Sequence, residues 1–125
     1  MAVPILKQGP FLIATIQAAL TDSDVLQLRD DVMAQVTRHR SRGIIVDVTA
    51  LDVMDSFVSR SFQGISRMTR LRGAETVIVG IQPEVAFAMV QLGMTFEDVH
   101  TALDLEEGLA FLNRRVGDRS SNDRT

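Results

Sequence analysis

Cysteine is absent from the 125 residues of this chain. Its absence excludes a disulfide scaffold, cysteine-ligated zinc and thiol catalysis, and it favours a cytoplasmic location. Tryptophan and tyrosine are also missing, so that six phenylalanines are the only aromatic residues. Stacking platforms for single-stranded nucleic acid are therefore not expected. The net charge of −3 likewise argues against a nucleic-acid binder, because such proteins usually carry a basic field.

The sequence also has few of the patterns that membrane proteins and enzymes use. The longest uncharged apolar stretch, Phe11–Leu20, is too short to span a bilayer, and no secretion signal is recognisable. The two histidines, His39 and His100, have no partner at metal-ligand spacing. No phosphate-binding loop, dinucleotide fingerprint or nucleophile elbow is present. We therefore expect no catalytic residue, no metal, no cofactor, no nucleic-acid partner and no membrane partner.

Strands alternate with helices along the chain. Hydrophobic and turn patterns predict strands over residues 3–7, 11–17, 43–48 and 75–81, and a short one within residues 95–103. Helices are predicted from the acidic segment 21–24 to a stop at Gly43, over 56–71, from Pro83 to before Gly93, and from Asp104 onward. The residues expected to face the core are Val25, Leu28, Val32 and Val36 in the first helix, Val85, Ala86, Met89 and Val90 in the third, and Leu105, Leu109 and Leu112 in the last.

This order of elements predicts an α/β fold with a mostly parallel sheet of four or five strands. The first strand contains Pro4 and is expected to join as an antiparallel edge strand, with about four helices flanking the sheet. The length and the hydrophobic content of 46% suit a single domain. We place that domain at residues 3–115 and predict a flexible C-terminal tail over residues 116–125.

The start of the second predicted helix is unusually rich in serine. In the stretch LDVMDSFVSRSF, residues 51–62, Ser56, Ser59 and Ser61 fall close together. Counting in steps of four and three from Ser56 gives one polar stripe along the helix, composed of Ser56, Arg60, Gln63, Arg67 and Arg70. Ser56 is therefore expected at the exposed helix start, Ser59 one turn in beside the stripe, and Ser61 toward the covered side.

Asp55 and Ser56 have a plain structural interpretation as helix caps, each of which contributes about 1 kcal/mol. Asp55 suffices for that role, which leaves Ser56 as a surface hydroxyl that a kinase can reach. A phosphate there would add about −1.5 to −2 charge beside the positive helix end and Arg60, and the fold should tolerate it. A docked partner would instead have to desolvate a dianion, so the pattern favours an on/off docking switch.

Five segments carry a family resemblance: Val3–Lys7, Gly43–Thr49, Val53–Phe57, Gly80–Pro83 and Thr101–Glu106. Together they resemble the STAS domains, the anti-sigma-factor antagonist family, and within it most the RsbS-type scaffolds of bacterial stressosomes. The resemblance covers nearly all of residues 3–115. It implies the STAS fold, with four or five strands and flanking helices, and it implies no enzymatic activity.

The resemblance also implies partners and a phosphorylation site. Scaffolds of this type join RsbR-type co-antagonist STAS proteins in a large self-associated assembly and sequester an RsbT-type serine kinase. Phosphorylation of a serine that follows an aspartate at this helix start releases the kinase, and an RsbX-type phosphatase resets the system. The matching residue is Ser56, with Ser59 as second choice, because Phe57 and Val58 replace the pattern of simpler antagonists.

Further residues and a second function follow from the polar stripe itself. Asp55 is expected to cap the helix, while Arg60, Gln63 and Arg67 are expected on a surface that faces a partner. An alternative from another class is a ligand-sensing STAS domain that binds a small anion or a nucleotide at the N-terminus of the second helix, where free N–H groups lie beside Arg60. A small hydrolase is a third possibility, but no nucleophile–base pair supports it.

Overall fold

A five-stranded sheet runs through the molecule in the order of the chain, β1-β2-β3-β4-β5. The computed structural model describes residues 2–96 and 98–123, with side chains described as far as residue 117. The strands are β1 (Ile5–Gln8), β2 (Phe11–Thr15), β3 (Gly43–Asp47), β4 (Glu75–Val79) and β5 (His100–Ala102). The helices are α1 (Asp22–His39), α2 (Ser56–Leu71), α3 (Pro83–Gln91) and α4 (Leu105–Asp123).

The pairing of the strands confirms the predicted α/β fold. β1 pairs antiparallel with β2 through the Gly9-Pro10 turn, and β2, β3, β4 and β5 are all parallel. The carboxyl ends of these four strands therefore lie along one edge of the sheet, here called the carboxyl edge. Each helix begins just after one of the strands, at that edge, and runs back toward the opposite edge, here called the amino edge.

Strand side chains alternate between two buried faces, as the pleat of a strand requires. One face packs beneath α1, α2 and α3, and its strand residues include Leu12, Ala14, Ile44, Val46 and Ile78. The other face packs against α4 through Leu112, and its strand residues are Phe11, Ile13, Ile45, Val77 and Val79. Because both faces are covered, the central strands are continuous apolar runs in the sequence.

The end of α1 differs from its prediction. Thr21 and Asp24 form a capping box at the start, and Val25, Leu28, Val32 and Val36 are all buried, as expected. The helix ends at His39, however, and Arg40 takes the left-handed conformation with φ 50°. Gly43, predicted both as the helix stop and as the first residue of the strand over residues 43–48, is the first residue of β3, so only its role as the helix stop is wrong.

A close approach between α4 and the sheet explains why residue 43 is a glycine. A Cβ atom there would lie 2.8 Å from both methyl carbons of Leu112. The absence of a side chain at Gly43 therefore allows α4 to pack against β3.

The third helix buries less of its surface than predicted. Val85 and Met89 are buried, but Ala86 is exposed and Val90 is 74% exposed. The helix has nine residues, and it touches the core through a single row at positions i and i+4. The prediction that Ala86 and Val90 face inward is therefore wrong.

The last helix extends beyond the predicted domain boundary. Leu112 is buried and Leu109 half-buried, whereas Leu105 is 36% exposed. The helix continues past residue 115 as far as Asp123, and residues 124–125 of the predicted tail lie outside the described residues. The flexibility of residues 116–125 stays a prediction. In the part of the chain that is described, no helix is long and apolar enough to cross a membrane.

Candidate functional site

The site is built on the first turn of α2, which lies at the carboxyl edge of the sheet. Asp55 is the N-cap in an extended conformation, and its Oδ1 accepts a hydrogen bond from the Val58 N–H at 2.8 Å. The Ser59 N–H bonds the Asp55 carbonyl at 3.0 Å. Ser56 is the first residue of the helix and its side chain is exposed. The predicted bounds of this helix, and the capping role of Asp55, are confirmed.

Ser59 lies in a different environment from Ser56. It is 3% exposed, and its Oγ has no hydrogen-bond partner among the described residues. Its neighbours on the covered side of the helix, Val58 and Phe62, belong to the core. Ser59 is thus part of the buried side and not of the polar stripe, and a kinase could reach its hydroxyl only if the first turn opened.

The second half of the polar stripe is tied to the segment before β5. The Gln63 side-chain amide donates to the Thr95 carbonyl. Arg67 forms an ion pair with Asp98, whose Oδ2 accepts from Nε at 3.2 Å and from a terminal nitrogen at 2.9 Å. Arg70 donates to the Asp98 carbonyl at 2.5 Å. These contacts account for Gln63 and Arg67 as internal ties, and a role for them toward a partner stays a prediction.

Arg60 lies on the same stripe but behaves differently. It is exposed, and it forms no ion pair with any residue that the structure describes. Its guanidinium follows Ser56 by one helical turn, within reach of an anion attached to that serine. Arg60 is therefore the cation of the site that is available to an outside group.

A cleft of about 340 Å³ separates the stripe from the segment before β5. It is lined by Ser56, Ser59, Arg60, Gln63, Arg67, Gly93, Met94, Thr95 and Asp98. The opposite wall, formed by Gly93, Met94, Thr95 and Asp98, could not be predicted from the spacing of residues in α2, because these residues are about 30 positions away along the chain. The spacing of polar residues within α2 predicts which face of the helix is polar. It does not predict which other segment lies against that face.

The lining of the cleft suits the binding of an anion. Its lining residues include no histidine, lysine or tyrosine that would activate the Ser56 hydroxyl, and the nearby Asp55 carboxylate is engaged in capping. Within the described residues, no group of three histidine, cysteine, aspartate or glutamate side chains is placed to hold a metal ion. The site offers a hydroxyl, a free guanidinium and the positive end of a helix, which together suit an anion.

Comparison with known proteins fixes the family. Residues 2–108 match the family model described as STAS domain. The chain belongs to the STAS domain family. Among curated relatives, it is 31% identical to the RsbT co-antagonist protein RsbRA of Bacillus subtilis (strain 168) over 83 residues, which are 66% of this chain and 30% of RsbRA. The chain thus spans less than a third of the length of that relative.

Two solved structures extend the similarity over nearly the whole STAS chain. A serine-to-glutamate variant of RsbS from Moorella thermoacetica is 33% identical, with a TM-score of 0.78, covering 91% of this chain and 97% of that one. A structure described as the molecular architecture of the stressosome, a signal integration and transduction hub, is 32% identical, with a TM-score of 0.73, covering 90% and 98%. The predicted family resemblance is therefore confirmed.

Proposed function

We propose that this STAS protein is a non-enzymatic scaffold of a bacterial stressosome, which sequesters an RsbT-type serine kinase and releases it when Ser56 is phosphorylated. The observation that carries the proposal is the exposed Ser56 hydroxyl at the start of α2, in a fold that matches RsbS along most of its length. The similarity to a stressosome structure and to an RsbT co-antagonist supports the same setting.

The position of Ser56 suits a phosphate that the domain itself tolerates. A dianion there would meet the positive end of α2 and the unpaired guanidinium of Arg60, with Asp55 continuing to cap Val58. The stabilisation of an anion at a helix N-terminus is about 0.3–1 kcal/mol. Phosphorylation should therefore leave the fold intact.

For a docked partner, the same phosphate would be strongly unfavourable. A kinase surface built to meet an uncharged serine would have to bury a dianion, and an unpaired buried charge costs several kcal/mol. Every ~1.4 kcal/mol is tenfold in affinity, so affinity falls by a factor of hundreds. Phosphorylation thus acts as a docking switch at the carboxyl edge.

The proposal includes further partners and a location. RsbR-type co-antagonist STAS proteins would join this chain in a large assembly, and an RsbX-type phosphatase would remove the phosphate. The assembly would be cytoplasmic, which agrees with the absence of cysteine from the sequence.

The test combines phosphorylation with kinase binding. The full chain is incubated with the RsbT-type kinase and ATP, followed by intact-mass analysis and peptide mapping; one phosphate is expected on Ser56. Ser56→Asp should weaken kinase binding by about 100-fold or more in calorimetry. Ser56→Ala should retain binding and lose phosphorylation.

Ser61→Ala is the matched control, because Ser61 lies in the same helix and is half-buried. It should be phosphorylated like the wild type. Stoichiometric phosphorylation of Ser56→Ala at Ser59 alone would show that the acceptor assignment is wrong. Wild-type kinase affinity in Ser56→Asp would contradict the switch.

The unpaired Ser59 hydroxyl favours a second candidate function, a ligand-sensing STAS domain that binds a small anion or nucleotide. The cleft beside α2 is open and is lined by the free Arg60 and by Ser59, whose Oγ is buried without a partner among the described residues. Thermal denaturation of the full chain with phosphate, ATP or GTP separates the two functions. A ligand at 100 times its dissociation constant adds about 2.7 kcal/mol to stability, whereas an unchanged melting temperature rules this candidate out.

A further inference from the structure

The two outer strands of the sheet, β1 and β5, differ in how their open edges are protected. β1 follows Pro4 and contains Lys7, and proline and lysine keep an edge strand from pairing with another chain. β5 consists of His100, Thr101 and Ala102 and contains neither of these residue types. Because it is short, β5 is a poor template for pairing with a whole sheet, but it has room for a short extended peptide.

Thr101 is the residue of β5 whose backbone faces the open side. The Ala102 carbonyl accepts a hydrogen bond from the Gly80 N–H at 3.3 Å, so the peptide groups of Ala102 point toward β4. Backbone groups alternate in direction along a parallel strand, and those of Thr101 therefore point away from the sheet. The next N–H on the open side, that of Leu103, already donates to Glu107 Oε2 at 3.1 Å. The N–H and the carbonyl of Thr101 have no such partner among the described residues.

Two clefts flank this edge, one on each face of the sheet, and Thr101 lines both of them. The cleft on the side of α4, here called the α4 cleft, has a volume of about 260 Å³. The cleft on the side of α3, here called the α3 cleft, has a volume of about 230 Å³. Side chains of a strand alternate between the two faces of a sheet. A strand added beside Thr101 would therefore direct its side chains alternately into the two clefts.

The α4 cleft presents positive charge to an incoming side chain. Arg114 is exposed and has no ion-pair partner among the described residues. The His100 ring stacks on Phe111 with centroids 3.6 Å apart, and the Arg115 guanidinium lies 5.1 Å above the Phe111 ring. Glu107, the one carboxylate among the described residues that line the cleft, is engaged by the backbone as described above. The cleft therefore suits an acidic side chain.

The α3 cleft presents apolar surface. Its apolar lining residues are Ile81, Met89, Val90, Met94 and Phe96, and no charged side chain lines it among the described residues. Val90 is 74% exposed, so most of its surface is left for a molecule outside the fold. Methionine side chains adapt their shape to what they contact. This cleft therefore suits an aliphatic side chain.

We infer that the open edge of β5 binds an extended peptide segment of a partner protein as a sixth, antiparallel strand, with aliphatic side chains toward the α3 cleft and acidic side chains toward the α4 cleft. Antiparallel pairing lets one residue of the peptide exchange both of its backbone hydrogen bonds with Thr101. A second copy of this chain does not offer such a segment, because its other edge strand carries Lys7, which Arg114 would repel. The contact is independent of Ser56 and of a kinase.

A short synthetic peptide of alternating valine and glutamate, with blocked termini and a fluorescent label, tests the contact by fluorescence anisotropy on the full chain. The wild type should bind it saturably, and more weakly as salt is raised, because salt screens the exposed charges. A peptide of alternating valine and lysine should bind at least about tenfold more weakly, since its charges oppose those of the α4 cleft.

Methylated peptides test the backbone hydrogen bonds separately from the charges. Thr101 pairs with Ile78, which lies on the face covered by α3, so the peptide residue opposite Thr101 is a valine. Methylation of the valine nitrogens removes the donor to the Thr101 carbonyl and should weaken binding by about tenfold. Methylation of the glutamate nitrogens, which face away from β5, should change the affinity by less than about threefold.

Variants of the chain test the same groups from the other side. Thr101→Pro removes the outward N–H without removing a hydrogen bond of the sheet, and should weaken binding by about tenfold, whereas Thr101→Ala should bind like the wild type. Arg114→Glu should bind the valine–glutamate peptide about tenfold more weakly and the valine–lysine peptide about tenfold more tightly. Arg38→Glu, at an exposed arginine that lines neither cleft, is the matched control. Val90→Lys should weaken binding of both peptides.

Melting curves check that each variant folds, and the methylated peptides need no variant at all. A wild type that does not bind the valine–glutamate peptide, unchanged binding in Arg114→Glu and Val90→Lys, or equal effects of the two methylation patterns would overturn the inference. Self-association that these two substitutions abolish, without peptide binding, would identify a second copy as the occupant and would overturn it too.

Discussion

The two halves of α2 carry the same polar stripe but use it differently. In the second half, Gln63 binds Thr95, and Arg67 and Arg70 bind Asp98. In the first half, Ser56 and Arg60 are exposed and have no such internal partner among the described residues. The second half of α2 thus holds another segment of the same chain, whereas the first half leaves its polar side chains available to another molecule. Similar polarity in the sequence therefore does not imply a similar role in the structure.

The largest expected effect contrasts Ser59 with Ser56. Ser59→Asp places a carboxylate in the core, where no hydrogen-bond donor awaits it, and should destabilise the fold by on the order of 3 kcal/mol. Ser56→Asp should change stability by less than about 1 kcal/mol, because its side chain is exposed beside the positive helix end. Urea denaturation of both variants measures the difference.

Ser59→Ala serves as the control for that comparison. Removing a buried hydroxyl that has no partner should be neutral or slightly stabilising. A loss of more than about 1 kcal/mol in Ser59→Ala would show that the hydroxyl has a partner in solution.

A smaller effect is expected at the cap. Asp55→Ala removes the acceptor for the Val58 N–H and should cost about 1 kcal/mol in the free energy of unfolding. Asp55→Asn keeps a capping oxygen and should retain most of that stability. Equal losses in the two variants would indicate that the charge, and not the hydrogen bond, stabilises this helix start.

The smallest effect separates Arg60 from Arg67, two of the three arginines of the stripe. A double-mutant cycle of Arg67→Ala and Asp98→Ala should give a coupling of about 0.2–1 kcal/mol that decreases with salt, as expected for an exposed ion pair. Arg60→Ala should change stability by less than about 0.5 kcal/mol. If Arg60→Ala lowered the free energy of unfolding as much as Arg67→Ala does, the contrast between the two halves of the helix would be wrong.

Local sequence patterns correctly predicted the features that depend on residues close together in the chain. The bounds of α2 follow from the cap at Asp55 and the spacing of buried side chains, and the fold class follows from the buried strands between helices. The predictions were wrong where contacts between residues distant in the sequence determine the structure. Gly43 is a glycine because Leu112 packs on it, nearly 70 positions later, and Ser59 is buried because the core side of α2 is wider than the apolar residues alone indicated.

The site was only partly predictable for the same reason. Ser56 and Asp55 are recognisable within a six-residue stretch, and their positions in the structure agree with that prediction. The cleft wall at Gly93, Met94, Thr95 and Asp98 depends on how separate elements pack against one another. The spacing of residues within one helix or strand does not predict which other elements it will contact.

The hydrogen bonds from Gln63, Arg67 and Arg70 to Thr95 and Asp98 bear on the last strand of the sheet. That segment leads directly into β5, a strand of three residues at the outer edge of the sheet. A displacement of α2 along its axis would therefore pull on this edge strand. The exposed serine at the start of α2 is thereby connected to the last strand of the sheet, through the helix and its hydrogen bonds to Thr95 and Asp98.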